Sequence, residues 1–403
     1  MTNHESSSLP LPVRETLRRR SEFLAGGELP VWRIDEAIKT ALHRIDRNIA
    51  ACGARFPAPS SVNGVYPKIA NVEWTSGFWT GMLWLAYELS GAERYRAAAA
   101  SHTANYAERI DRHIATDTHD LGFLYSLSCV AAFKLTGDGV AHSAALGAAN
   151  LLLARFLPVA GIIQAWGDLN DPAQTGRMII DCNLNLPLLY WASDTTGDAK
   201  YRRAADCHIV QAARHLVRAD ASTFHTFFMD AKTGAPRYGR THQGFSDESC
   251  WSRGQAWGIY GFPLVYRHNG NAALLSLAEC LAGYFLNRLP EDLVCCWDLI
   301  FLGPPEPRDS SAAAIATCGL IELARQLPAD HPDRAVYGRA ARAIADSLIT
   351  SYAASADDPG EGLIRHGVYH MPNKIGVDEC CLWGDYFYLE ALTRLRRDWE
   401  LYW

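Results

Sequence analysis

Apolar positions recur along this chain at spacings of three and four, and strict apolar–polar alternation is scarce. That periodicity predicts helices with few strands. Twelve helical runs are legible, at roughly 32–51, 77–89, 94–113, 121–135, 140–157, 183–194, 199–219, 254–267, 271–288, 311–326, 333–353 and 382–396. A turn signal recurs between runs: "ELSGAERYRAAAA", "KLTGDGVAHSAAL", "DTTGDAKYRRAAD", "RHNGNAALLSLAE" and, with prolines, "RQLPADHPDRAVYGRAA". In four of these Gly91, Gly137, Gly197 and Gly270 stand just past a helix end, where left-handed backbone is wanted. A short polar link and an alanine-rich second helix follow, so each instance reads as an antiparallel hairpin. The glycines recur at intervals of 46 to 73 residues, which points to a repeat architecture.

Six such hairpins fill the chain. The economical closed arrangement is all-α, an (α/α)6 toroid with an inner and an outer ring of helices; an open helical solenoid is the alternative. Residues 1–28 read as a flexible or loosely docked arm, and 29–403 as a single toroid domain. One helix of most pairs is preceded by an acidic or aromatic cluster: "NVEWTSGFW", "THDLGF", "IIDCNL", "SDESCWSRGQAW", "PRDSSAA" and "GVDECCLWGDY". If these are the inner helices, the clusters share one rim. Helix capping accounts for Asp309 and others, but not for the Trp and Arg beside them.

Composition narrows the classes. Apolar residues are 49% of the 403, enough for a large core. A net charge of −6 argues against nucleic acid or an anionic membrane as partner. No apolar run reaches the length of a membrane span, and the N-terminus lacks a signal-peptide run. Eleven cysteines without a C-x-x-C pair read as reduced thiols of a cytoplasmic protein, with no metal and no cofactor. Twelve Trp and 17 Tyr fill cores, and sugar clefts use them too.

Two carboxylates stand out. Asp120 precedes an apolar run, and Asp181 lies between Ile180 and Cys182 after Met178-Ile179-Ile180. A carboxylate in apolar sequence costs free energy unless it is paired or used. If both enter one cavity they suit acid/base work on a sugar ring, and desolvation would keep Asp181 protonated near neutrality. A capping or structural role is open for each. "HQGFSDESCWSRGQAWGIYG" gathers His242, Gln243, Trp251, Arg253 and Trp257. Arg253 and Trp257 share a helix face and suit a ring bearing a carboxylate; pairing of Arg253 with Glu248 is the structural alternative. His225 and Trp166 are further candidates.

These segments, with "YPKIANVEWTSGFWTGMLWLAYELSG" and "GRMIIDCNLNLPLLYWAS", make the chain similar to the unsaturated glucuronyl hydrolases, glycoside hydrolase family 88. The resemblance spans residues 66 to 395. It implies an (α/α)6 toroid that hydrates the C4=C5 double bond of the unsaturated uronic acid on lyase-generated oligosaccharides, glycosaminoglycan disaccharides among them. Carried over by position, it implies Asp181 as acid/base and Asp120 as second carboxylate. Trp74, His119, Trp166, His225, Gln243, Arg253 and Trp257 fall at substrate-binding positions. The chain departs from the family at "CNLNL" after Asp181, and near Lys374, where the serines of sulfate-tolerant relatives are missing. Alternatives are an unsaturated rhamnogalacturonyl hydrolase on pectin-derived disaccharides, a toroid sugar epimerase and a non-catalytic saccharide binder. A monomer or weak homo-oligomer is expected.

Overall fold

The structure, a computed structural model, describes residues 9–172 and 174–403. Six helical segments form an inner ring: Ser76–Ser90, Leu121–Thr136, Pro187–Thr196, Ser252–Asn269, Ser310–Gln326 and Leu382–Arg396. Each packs on the next, and the last returns to the first, so the ring is closed. The outer partners are Val31–Cys52, Glu93–Asp111 (broken near Ser101), Gly139–Ala154, Ala199–His215, Ala272–Leu286 and Arg334–Ser347. This is the expected (α/α)6 toroid, and the twelve helices fall where periodicity puts them.

Sequence explains which ring is which. Inner helices are buried nearly all round: every residue from Ser252 to Val265, and from Ser310 to Leu323, is buried. A helix apolar on all faces belongs inside. Outer helices such as Val31–Cys52 and Arg334–Ser347 bury one stripe only. Gly91, Gly137, Gly197 and Gly270 all terminate inner helices with φ between 67° and 74°, the left-handed turn that lets the chain reverse outward.

Residues 9–28 lie against the outer ring. Arg14 bonds Glu279 (2.6 Å) and Asp333 (2.9 Å), and Glu15 pairs with Arg288 (2.9 Å). Residues 1–8 of the expected arm lie outside the described residues. Of four small antiparallel sheets among the described residues, two decorate the rim: Arg177–Ile179, Thr226–Met229 and Pro236–Arg240 form one, and Gly367–His370 with Ile375–Glu379 the other. Among the described residues no helix is long and apolar enough to cross a membrane.

Candidate active site

Asp120 and Asp181 come together because two inner segments touch at backbone distance. A Cβ on Gly122 would lie 2.3 Å from the Asn185 Cα, so only glycine permits this approach. Asn185 fastens it: its Oδ1 accepts from the Phe123 N–H (2.7 Å), and its Nδ2 donates to the Asp181 carbonyl (3.2 Å). Gly122 and Asn185 follow the two aspartates closely, so the contact fixes one acid relative to the other.

Neither acid caps a helix. Asp120 stands at the N-terminus of Leu121–Tyr125, yet its side chain bonds no helix N–H. Its Oδ2 accepts from Thr118 Oγ1 (2.7 Å), and its Oδ1 lies 3.3 Å from His119 Nε2. Asp181 sits in the tight turn Ile180–Leu184 with its side chain partly open, but its Oδ1 is buried without a hydrogen-bond partner. Burial pushes the Asp181 carboxyl up to about 7. The charges of His119 and Arg253 oppose the shift, and the Asp120 carboxylate reinforces it. Asp309, by contrast, is the cap expected of it, accepting from the N–H groups of Ser311 and Ala312.

The first rim sheet delivers the next residues. Ile179 pairs with Thr226, and the Ile180 N–H bonds the His225 carbonyl (3.2 Å), so His225 stands beside Asp181. His225 Nδ1 accepts from the N–H groups of His242 (3.1 Å) and Gln243 (3.2 Å). Burial, and then the neighbouring positive groups, hold this imidazole well below its usual range. It is therefore neutral with its proton on Nε2, a fixed donor.

Arg253 differs from the expected open fork. It is buried, and its terminal nitrogens bond Asp309 Oδ2 (3.0 Å), the Val368 carbonyl (2.6 Å), the Tyr369 carbonyl (2.8 Å) and Gln243 Oε1. Its ion partner is Asp309 and not Glu248. The indoles over its guanidinium are Trp251 (4.4 Å) and Trp383 (4.7 Å), not Trp257. Because Gln243 Oε1 is held by Arg253, the Gln243 amide N–H groups are free to face outward.

Trp74 and Trp166 are partly open. Trp74 stacks on Trp383 at 5.0 Å and donates to the Tyr369 hydroxyl (3.2 Å). Trp166 is brought to the Asp120 loop by a bridge between Thr118 and Trp166, with Arg177 over its ring. Trp257 departs from its expected place: it is wholly buried against Phe123 and Phe387. It underpins the site and offers a ligand no surface.

Sequence reasoning missed three residues at this rim. His370 lies 5.1 Å from the exposed His242, and Tyr369 and Trp383 wall the Arg253 side. They come from the second hairpin and the last inner helix; the aromatic richness of "GVYHMPNK" and "CCLWGDYFY" was the only local signal. Among the described residues no group of three or more His, Cys, Asp or Glu is placed to hold a metal ion.

Comparisons with known proteins give the chain's family and agree with its fold. Residues 54–320 match the family described as Glycosyl Hydrolase Family 88. An unsaturated glucuronyl hydrolase of Bacillus sp. strain GL1 is 49% identical over 93% of this chain and 99% of its own. An unsaturated chondroitin disaccharide hydrolase of Streptococcus pneumoniae is 45% identical over 96% and 98%. The crystal structure of the unsaturated glucuronyl hydrolase from Streptococcus agalactiae superposes with a TM-score of 0.96, at 45% identity over 98% of this chain and all of the other. The chain belongs to glycosyl hydrolase family 88 and is a glycoside hydrolase.

Proposed function

We propose that this hydrolase releases the 4,5-unsaturated uronic acid from the non-reducing end of glycosaminoglycan-type disaccharides, with unsaturated chondroitin products as the first substrates to test. The names of the relatives support a glycosaminoglycan substrate over a pectin-derived one. One observation carries the chemistry. Asp181 is a carboxyl held near neutrality by burial, beside a second carboxylate that has its own donors.

In this reading Asp181 gives its proton to C4 of the enoate. Positive charge develops at C5 next to the ring oxygen, and water adds there. The proton lost by that water returns to the Asp181 carboxylate. The hemiketal at C5 then opens and the remaining sugar leaves; the anomeric carbon is never attacked, unlike ordinary glycoside hydrolysis. Asp120, fixed by Thr118 and His119, accepts from sugar hydroxyls. His225 and Gln243 supply N–H donors to the uronate carboxylate. Arg253 acts through Gln243 and through its charge. Trp74 and Trp166 offer ring faces, and Trp257 supports them from below.

We assign residues 29–403 to one catalytic unit and place it in the cytoplasm, where its eleven free thiols stay reduced. Disappearance of the enoate absorbance with unsaturated chondroitin disaccharide tests the reaction. In D₂O, deuterium should enter at C4 of the product; in ¹⁸O-water, label should enter at C5. Label at the anomeric carbon would overturn the hydration route, and turnover confined to pectin-derived disaccharides would overturn the substrate.

A further inference from the structure

One cation at the rim stands without a counter-ion. Arg177 opens the strand that leads into Asp181, and it is only partly open to solvent. Its guanidinium carbon lies 4.7 Å from the Trp166 ring centroid and 5.4 Å from that of Phe228. These rings flank the group but leave its five N–H donors to find acceptors elsewhere. Among the described residues nothing accepts from them. Burial holds the guanidinium below its usual range, and the charge that opposes the shift is the Tyr238 phenol, not a carboxylate. Neighbouring arginines are better served. Arg155 bonds the Gln164 and Gly167 carbonyls (2.9 and 3.0 Å), and Arg240 faces Asp247 at 3.7 Å. A partly desolvated cation without a partner costs free energy, and a ligand that brings an anion would recover it.

Register shows where this cation stands. Arg177 pairs with Phe228, and Phe228 with Tyr238, so the three side chains form a row on one face of the sheet. Phe228 and Tyr238 stack at 4.8 Å. On the same face, two residues nearer Asp181, stand Ile179, Thr226 and Arg240. Strand rise puts the outer row about 7 Å further from the acids. Exposure rises with it: Ile179 and Thr226 are buried, Arg177 and Phe228 half-buried, Tyr238 exposed. Trp166 joins the two zones, its ring 5.4 Å from that of His242 and 4.7 Å from Arg177. We infer that the row Arg177–Phe228–Tyr238 is an outer subsite for an acidic sugar, the third unit of a longer unsaturated glycosaminoglycan oligosaccharide: its carboxylate pairs with Arg177 and its ring lies on Phe228 and Tyr238. The unsaturated sugar occupies the two aspartates, so the rest of the chain must run outward to open surface. Trp166 already offers its face to the disaccharide, and the residues beyond it meet the next unit. In chains that alternate a uronate with an amino sugar, that unit is a uronate. A guanidinium takes a carboxylate through paired N–H groups, and aromatic faces take the apolar side of a sugar ring. In a protein of net charge −6, an unpaired arginine beside the substrate mouth is complementary to an acidic chain.

The inference rests on the proposed release of an unsaturated uronate. The test measures kcat and KM of the full chain on three substrates: unsulfated unsaturated chondroitin disaccharide, the disaccharide sulfated on its second sugar, and the unsulfated tetrasaccharide. Wild type is compared with Arg177→Met, which keeps apolar bulk between the rings without the charge, and with Tyr238→Ala at an exposed position. Loss of one charge-assisted pair predicts that Arg177→Met lowers the tetrasaccharide-to-disaccharide ratio of kcat/KM roughly ten-fold, through KM and not kcat. Tyr238→Ala should lower the same ratio by less, and added salt should lower it in wild type. Equal losses on the two unsulfated substrates would overturn the subsite and leave Arg177 as a clamp on Trp166. A loss on the sulfated disaccharide as large as on the tetrasaccharide would overturn it as well, by placing the anion on the second sugar. No turnover of any substrate by wild type would instead refute the reaction. Calorimetric binding of the tetrasaccharide then still decides the subsite: tighter binding by wild type than by Arg177→Met supports it, and equal binding overturns it.

Discussion

Asp181 and Asp120 are near enough to feel each other's charge, but their surroundings differ. Asp120 accepts from Thr118 and faces His119, whereas one Asp181 oxygen is buried with no donor. A free carboxyl titrates near 4, and Asp181 is pushed up to about 7. Between those values the folded protein binds a proton that the unfolded chain has lost. Stability therefore falls as pH rises through this window, and the full penalty stands above about 7. Asparagine carries no such penalty. Asp181→Asn should raise the stability at pH 8, and with it Tm, by on the order of 1–2 kcal/mol of unfolding free energy after discounting for the partly open side chain. The gain should vanish below about pH 4. The same substitution should lower kcat roughly 10²-fold or more, and wild-type kcat should decline as pH climbs through about 7. Thermal melts and rate profiles on both proteins check this; a variant no more stable at pH 8 than at pH 4 would mean that burial does not tune Asp181. The apolar setting of this acid was legible in "RMIIDCNL". The setting of Arg253 was not, because its partners Asp309, Val368 and Tyr369 lie 56, 115 and 116 residues away.

Among the elements, long helices were readable because their periodicity repeats over several turns and because four glycines mark their ends. The rim strands were not. Arg177–Ile179 has three residues and Thr226–Met229 four, too few for alternation to stand out, and they exist because hairpin pairing and the ring beneath hold them. Yet those strands bring His225 to Asp181. Sequence also concealed why the acids are neighbours, since Gly122 reads as an ordinary small residue inside a helix. Its Cβ position is filled: besides the Asn185 Cα, the Asn185 carbonyl oxygen would lie 2.5 Å away. Gly122→Ala must separate the two segments, at a cost of about 1–3 kcal/mol or more, and the separation shifts Asp120 against Asp181. We expect kcat to drop well beyond any change in KM. Gly91→Ala is the control. It has φ +67° and nothing within 4 Å, so it should cost about 1–2 kcal/mol of backbone strain and leave kcat alone. Denaturant titrations with rates on both variants test the contrast; equal kcat in the two would break the link between this contact and catalysis.

At the scale of the whole molecule, the number of hairpins and their closure followed from the repeat, but what fills the ring did not. The final segment turns inward. Trp403 is buried: it stacks on Phe387 (5.9 Å), meets Phe123 (6.1 Å) and Tyr260 (6.5 Å) edge-on, and donates to Glu390 (2.9 Å). Those residues belong to three different inner helices. Trp399 donates to Glu88 (2.8 Å), the Tyr402 hydroxyl joins it there, and Lys134 bonds the Leu401 carbonyl (2.8 Å). The segment thus ties together inner helices that neighbour contacts alone would join only in sequence around the ring, and it does so beneath Phe123, which touches Trp74 (5.8 Å). "DWELYW" could be read as apolar, but no local pattern tells a chain end that plugs a ring from one that lies on a surface. Trp403→Ala removes a buried indole and strips Glu390 of a donor, so about 3–5 kcal/mol should be lost, a large share of the 5–15 kcal/mol typical of a folded protein. The aspartates themselves are held by the Gly122–Asn185 contact and the rim sheet, not by Trp403. Below its lowered Tm the variant should keep kcat within a few-fold of wild type, with the loss appearing in KM as Phe123 and Trp74 loosen. Calorimetry paired with rates at low temperature separates these effects: a kcat collapse in a still-folded variant would show that the end of the ring opposite the rim governs the chemistry as well as the stability.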